Sequence, residues 1–224
     1  MNNRPIYSAK QEEFIDYLID KQVNSPDQDI PSIEVISKEL GISVACLREQ
    51  MELARNLGLI KIQPRKGIEV QPYSFTPAVI KSVYYAIKID RKYFNQFADL
   101  RSHLERMYFR EAAALLTEKD CADLMDLIQT AKRKLHDTPI QIPHQEHRKY
   151  HLLIYKRLNN VFLNGLLECY WDTYEMVGLN IYSDLSYLES VWDYHEGIGQ
   201  CLLEKQIDKA YQMMIDHIKL IAKR

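Results

Sequence analysis

The spacing of apolar residues changes near residue 72, and this change constrains the fold more than any other feature of the chain. Downstream of Tyr73, apolar residues recur at helical spacing almost without a break. Leu100, Leu104, Met107, Ala114 and Leu115 mark one long helix. Thr-Glu-Lys-Asp (117–120) can cap a second, which carries Leu124, Leu127, Ile128 and Leu135. After Asp-Thr-Pro (137–139), helices are predicted over 144–158, 161–179, 184–204 and 206–222, with Asn159-Asn160 as punctuation. Helices apolar on one face must bury that face, so six or seven in succession predict an antiparallel bundle. Upstream of residue 72 the pattern is mixed, with helices predicted near 7–22, 32–39 and 43–57. Leu-Ile-Lys-Ile (59–62) and Ile-Glu-Val (68–70) then flank the turn Gln-Pro-Arg-Lys-Gly (63–67), where Gly67 supplies a positive φ for a hairpin. The reading is a mostly α chain in two domains, 1–72 and 78–224. The linker is 73–77, closed by Thr76 and Pro77 as the cap and first-turn proline of the next helix.

Composition excludes several classes. Lys and Arg total 29 against 31 Asp and Glu, so the chain is no polycation that coats nucleic acid. Seven glycines and eight prolines argue against a low-complexity linker or a Gly-rich phosphate loop. No apolar run approaches the roughly 18 residues that span a bilayer. The start, MNNRPIYSAKQEEF, lacks a basic-then-apolar signal pattern, so a cytoplasmic location is expected and no membrane partner. Cys46, Cys121, Cys169 and Cys201 are scattered, as expected of buried small side chains in a reducing compartment.

Residues 30–60 carry a local logic of their own. Ser32 caps a short helix and Gly41 ends it in a tight turn. Ser43 caps a second helix whose Leu47, Met51 and Leu57 face inward. Two short helices joined this way form a helix-turn-helix, and the hairpin makes it winged. The start of the second helix would enter a major groove and place Val44, Ala45 and Arg48 near the duplex, with free backbone amides for a phosphate. Arg48, with Arg65 and Lys66 in the wing beside Gly67 and with Lys38, could form a local basic stripe.

This region resembles the GntR family of bacterial regulators over roughly residues 7–72. The shared features are Pro31-Ser32, Leu40-Gly41-Ile42-Ser43, Leu47-Arg48-Glu49, then Leu53-Ala54 with Leu57-Gly58-Leu59-Ile60, and a wing with Gly67. The resemblance implies a dimer on double-stranded operator DNA. Glu34 stands where the family commonly has arginine, and Val44, Ala45 and Cys46 where it commonly has Arg-Thr-Pro. Residues 1–72 hold nine Lys and Arg against eleven Asp and Glu, a net charge of −2.

A second constellation is made of histidines. In His-Gln-Glu-His-Arg-Lys-Tyr-His (144–151), His147 and His151 stand four apart, about 6 Å from each other on one helix face, a workable bite for a metal. His195 lies in the penultimate helix and His217 in the last, and a bundle can bring the three helices together. Imidazole suits zinc, nickel, cobalt or iron better than calcium or magnesium. Residues 97–223 resemble the FCD effector domain of FadR-type GntR regulators. The matching segments are Asp-Leu-Arg-Ser-His-Leu-Glu (99–105), Thr117 to Leu124, His147 and His151, Leu-Asn-Asn (158–160), Asp-Tyr-His-Glu (193–196), and Met214 with His217. The resemblance implies a divalent metal, zinc foremost, on His147, His151, His195 and His217, the first replacing the usual Asp or Asn. It also implies Arg101 as the partner of an effector carboxylate. Paired with Glu105 one turn on, Arg101 is alternatively a surface residue. Tyr108, Tyr150, Tyr155 and Tyr174 are candidates for pocket hydroxyls.

The expected function is a homodimeric transcription regulator with no enzymatic activity, whose operator affinity responds to a small organic acid at the metal pocket. The rival readings are a metal-dependent hydrolase, for which only Glu146 and Glu196 offer a base beside the cluster, and a metal-sensing helical protein that has lost DNA binding.

Overall fold

The computed structural model describes residues 13–25, 28–64, 67–178 and 184–222, without the side chains of 220–222. Among these residues are ten α-helices and one two-stranded sheet. The chain divides into two compact units, residues 1–78 and 79–224.

The first unit is a winged helix-turn-helix: α1 (Glu13–Asn24), α2 (Ile33–Leu40), α3 (Val44–Asn56), β1 (Ile60–Gln63) and β2 (Gly67–Val70). Residues 7–12 of the expected first helix, and Arg65 and Lys66 of the wing, lie outside the described residues. Gly41 ends α2 at φ 67°, a conformation that costs glycine little. The Ser43 side chain accepts a hydrogen bond from Cys46 N and starts α3. Ser32 stands at the N-cap of α2 with extended backbone, without a side-chain cap bond. β1 and β2 pair antiparallel with Ile60 opposite Val70 and Ile62 opposite Ile68. Phe14, Leu18, Ile36, Leu47, Met51, Ala54 and Ile60 fill the core. Leu57 caps α3 and is half-buried. Buried Gln50 accepts from Phe14 N at 2.8 Å and joins α1 to α3.

The helix α4 (Thr76–Ile89) takes up the last two residues of the expected linker. The second unit continues with α5 (Lys92–Ala114), α6 (Glu118–His136), α7 (His144–Tyr155), a 3-10 turn (Lys156–Leu158), α8 (Val161–Met176), α9 (Leu185–Leu203) and α10 (Ile207–Ala222). Thr117 and Asp120 form a capping box at α6. Asn159 takes a left-handed conformation and Asn160 caps α8. Leu179, the last residue of one expected helix, is outside the described residues.

On α5 the buried stripe differs from the expected one. Leu100 and Met107 are exposed, Met107 by 82%, as are Ala114 and Leu115, while Leu104 is half-buried. Phe94, Arg101, Glu105, Phe109, Ala112 and Ala113 face inward instead. The inward stripe carries a charge pair, so hydropathy alone points to the wrong side of the helix. Around it, the core draws on Leu124, Ile128, Leu135, Tyr150, Ile154, Leu167, Trp192 and Ile198. Cys121, Cys169 and Cys201 are buried free thiols, and Cys46 is half-buried.

Candidate metal centre

The bundle brings the four histidines to one point. His147 and His151 come from α7, His195 from α9 and His217 from α10, and their ligand atoms lie within 4.8 Å of one another. His195 and His217 are at most 1% exposed, and His151 is buried too. Helix packing holds the arrangement in place. Tyr150 OH donates to the His195 carbonyl at 2.9 Å, tying α7 to α9, and the Trp192 ring packs edge-on against His195. On α9, a Cβ at Gly199 would stand 2.9 Å from Ile128 Cδ1, so the glycine permits α6 to approach closely.

The hydrogen-bonding of the cluster is incomplete in one consistent way. Both ring nitrogens of His195, both of His217 and Nε2 of His147 are buried without a hydrogen-bond partner among the described residues. Each such atom costs about 1–3 kcal/mol, and a metal drawing one nitrogen from each ring would give three of the five a partner. Burial, reinforced by the neighbouring imidazoles, pushes the His147 and His195 rings well below the ordinary histidine range. Burial pushes His217 down to about 3, with help from His151 and Arg101. Neutral imidazoles keep the lone pair a metal needs. The residues therefore fit a divalent transition metal held by nitrogen donors.

Arg101 and Glu105 complete the site from α5. The pairing across one helical turn exists, Nη2 to Oε2 at 2.8 Å, but it is deeply buried and not on the surface. The Arg101 guanidinium lies over the rings of Tyr170 and Trp171, at 4.7 and 5.3 Å. Its Nη2 is 2.9 Å from His151 Nδ1, and Glu105 Oε1 is 3.1 Å from the same nitrogen. Two of the four tyrosines expected to supply pocket hydroxyls direct them to backbone carbonyls instead. Tyr155 OH donates to the Glu105 carbonyl and Tyr150 OH to that of His195. The Trp171 ring meets that of His147 edge-on at 4.7 Å, and nothing in the sequence singles out Trp171 or Tyr170. Their spacing from the histidines carries no signal. Glu146 pairs with Lys134 and Glu196 with Lys132, so both candidate bases are held in ion pairs.

In the first unit, Ser32, Ser43, Ala45, Arg48 and Gly67 are exposed and Val44 is half-buried. Ser32, Glu34, Arg48 and Gly67 line one groove with an open volume of about 610 Å³. The Glu34 carboxyl is held below its ordinary range by its own backbone amide and Ser32, and to a lesser extent by Arg48.

The FCD domain family model matches residues 96–220, more than half of the chain and all of the histidine site. The chain belongs to the FCD domain family. Solved structures share the fold beyond the FCD region. Streptococcus agalactiae GntR superposes with a TM-score of 0.72 at 16% identity, covering 95% of this chain and 99% of that one. Lar, described as controlling expression of the Listeria monocytogenes agr system, gives 0.50 at 14% identity, covering 96% and 95%. At these identities the likeness is one of fold. A search of curated proteins found no match.

Proposed function

We propose that this FCD protein is a ligand-responsive transcription regulator that binds operator DNA as a homodimer. The observation that carries the reading is the buried four-histidine donor set beside Arg101, in a chain whose other unit is a winged helix-turn-helix. His147, His151, His195 and His217 would hold a divalent transition metal, zinc foremost. The metal would supply a Lewis-acid point for an anion. Arg101 Nη2 lies beside His151, so guanidinium and metal donors act on the same end of a ligand. This geometry favours a small organic acid gripped by one carboxylate between the two. Ser32, Ser43, Val44, Ala45, Arg48 and the wing residues Arg65, Lys66 and Gly67 would meet the duplex. Metal and acid would shift the population of bundle geometries and so the spacing of two reading helices.

One observation favours a second reading, a metal-sensing protein that no longer binds DNA. Residues 1–72 carry a net charge of −2, and Glu34 shares its groove with Arg48. Elemental analysis of the purified protein beside gel-shift binding to its own upstream region decides. Bound metal with DNA retention supports the regulator, metal without retention supports the sensor, and neither overturns both.

A further inference from the structure

Glu105 and Arg101 both meet the ring of His151. Glu105 Oε1 lies 3.1 Å from His151 Nδ1, while Arg101 Nη2 stands 2.9 Å from Nδ1 and 3.5 Å from Nε2 of the same ring. A neutral ring nitrogen either donates its proton to the carboxylate or accepts one from the guanidinium, and cannot do both. The two choices have opposite consequences. With the proton on Nδ1, Nε2 keeps its lone pair and can ligate a metal. With Nδ1 accepting from Arg101, the neutral ring carries its proton on Nε2, and that nitrogen has nothing to offer. The surroundings fix the carboxylate in place. Its backbone carbonyl accepts from Tyr155 OH at 3.0 Å, on the helix that carries His151. Its Oε2 meets Arg101, whose plane is held over Tyr170 and Trp171.

We propose that Glu105 is the positioning residue of this site: it accepts a hydrogen bond from the Nδ1–H of His151, sets that ring in its metal-binding tautomer, and leaves Arg101 to donate to an anion. The inference rests on the metal reading above and adds a coupling to it. Metal on His151 excludes the Arg101 contact with that ring, so metal binding makes the guanidinium available and the two ligands assist each other.

The test compares wild type, Glu105→Leu, and Arg101→Met combined with Glu105→Leu. It reads cobalt(II) affinity by chelator competition and the tautomer of His151 by nitrogen-15 NMR of the metal-free protein. Metal-free wild type shows the Nδ1–H tautomer, and cobalt affinity falls about 10–100-fold in Glu105→Leu. Leaving a buried guanidinium unpaired can unfold the single variant, whereas the apolar pair keeps the core neutral, so the double variant then decides. It also loses affinity, because the acceptor for Nδ1 is gone. Wild-type affinity in the double variant overturns the proposal, since Glu105 then only neutralises Arg101. An Nε2–H tautomer in metal-free wild type also overturns it, without touching the metal reading. Wild type that takes up no cobalt overturns the metal reading, and the NMR result still decides the tautomer.

Discussion

At the scale of single residues, His195 carries the clearest consequence. It is fully buried, neither of its ring nitrogens has a hydrogen-bond partner among the described residues, and its ring is 4.5 Å from that of His217. His195→Ala should strip the metal and abolish the gain in melting temperature that metal gives wild type. A ligand at 100 times its Kd stabilises by about 2.7 kcal/mol, and that increment disappears when the site cannot close. Melting each protein with zinc and with a chelator measures it, and an unchanged zinc increment in the variant would remove His195 from the site. In the other unit, Arg48 is an exposed base in the first half of α3. Arg48→Ala should weaken operator binding by about 1–3 kcal/mol if it reads a base edge, and by less, with a shallower salt slope, if it holds a phosphate. Unaltered binding in the variant would mean that α3 docks by another face.

At the scale of elements, the start of α6 shows how a local signal becomes a tertiary tie. Asp120 accepts from Thr117 N at 2.8 Å and Thr117 Oγ1 accepts from Asp120 N, closing the capping box. Arg157, in the 3-10 turn after α7, then pairs with the same carboxylate. Hydrogen bonding from Arg157 holds the Asp120 carboxyl well below the usual carboxylate range. A depressed pKa means that this contribution is complete above about pH 4, the unfolded value, and lost as the pH falls below it. Asp120→Ala should therefore cost about 1–2 kcal/mol at neutral pH. The gap to wild type should narrow on acidification below pH 4. Urea unfolding at pH 7 and pH 3 checks both statements, and a gap that widens in acid would show that the ion pair is not its source.

At the scale of the whole molecule, both tryptophans report on the second unit. Trp171 and Trp192 are the two in the chain, and their rings lie 4.7 and 5.9 Å from that of His147. Titrating cobalt(II) or nickel(II) into metal-free protein should quench tryptophan fluorescence with saturation. The ions should also raise the temperature of the fluorescence-detected transition. Fluorescence that follows added ion linearly, with no saturation, would mean that no site forms near these rings.

The amino-acid sequence by itself determined the order of elements and the caps that start and stop them. Ser43, Gly41, Thr117 with Asp120, and Asn160 act within a few residues of themselves, so their effect can be read without knowing the fold. The bite of His147 and His151 was legible for the same reason, since four residues on a helix is a fixed distance. Only the tertiary structure decided that His195 and His217 join them, because the packing of α9 and α10 sets that distance. It also decided the inward face of α5. There Arg101 and Glu105 are buried while Leu100 and Met107 face water, against their hydropathy. A charge is tolerated inside only when its partner and the surrounding rings are in place, and the rings beside Arg101 come from α8, about 70 residues further along.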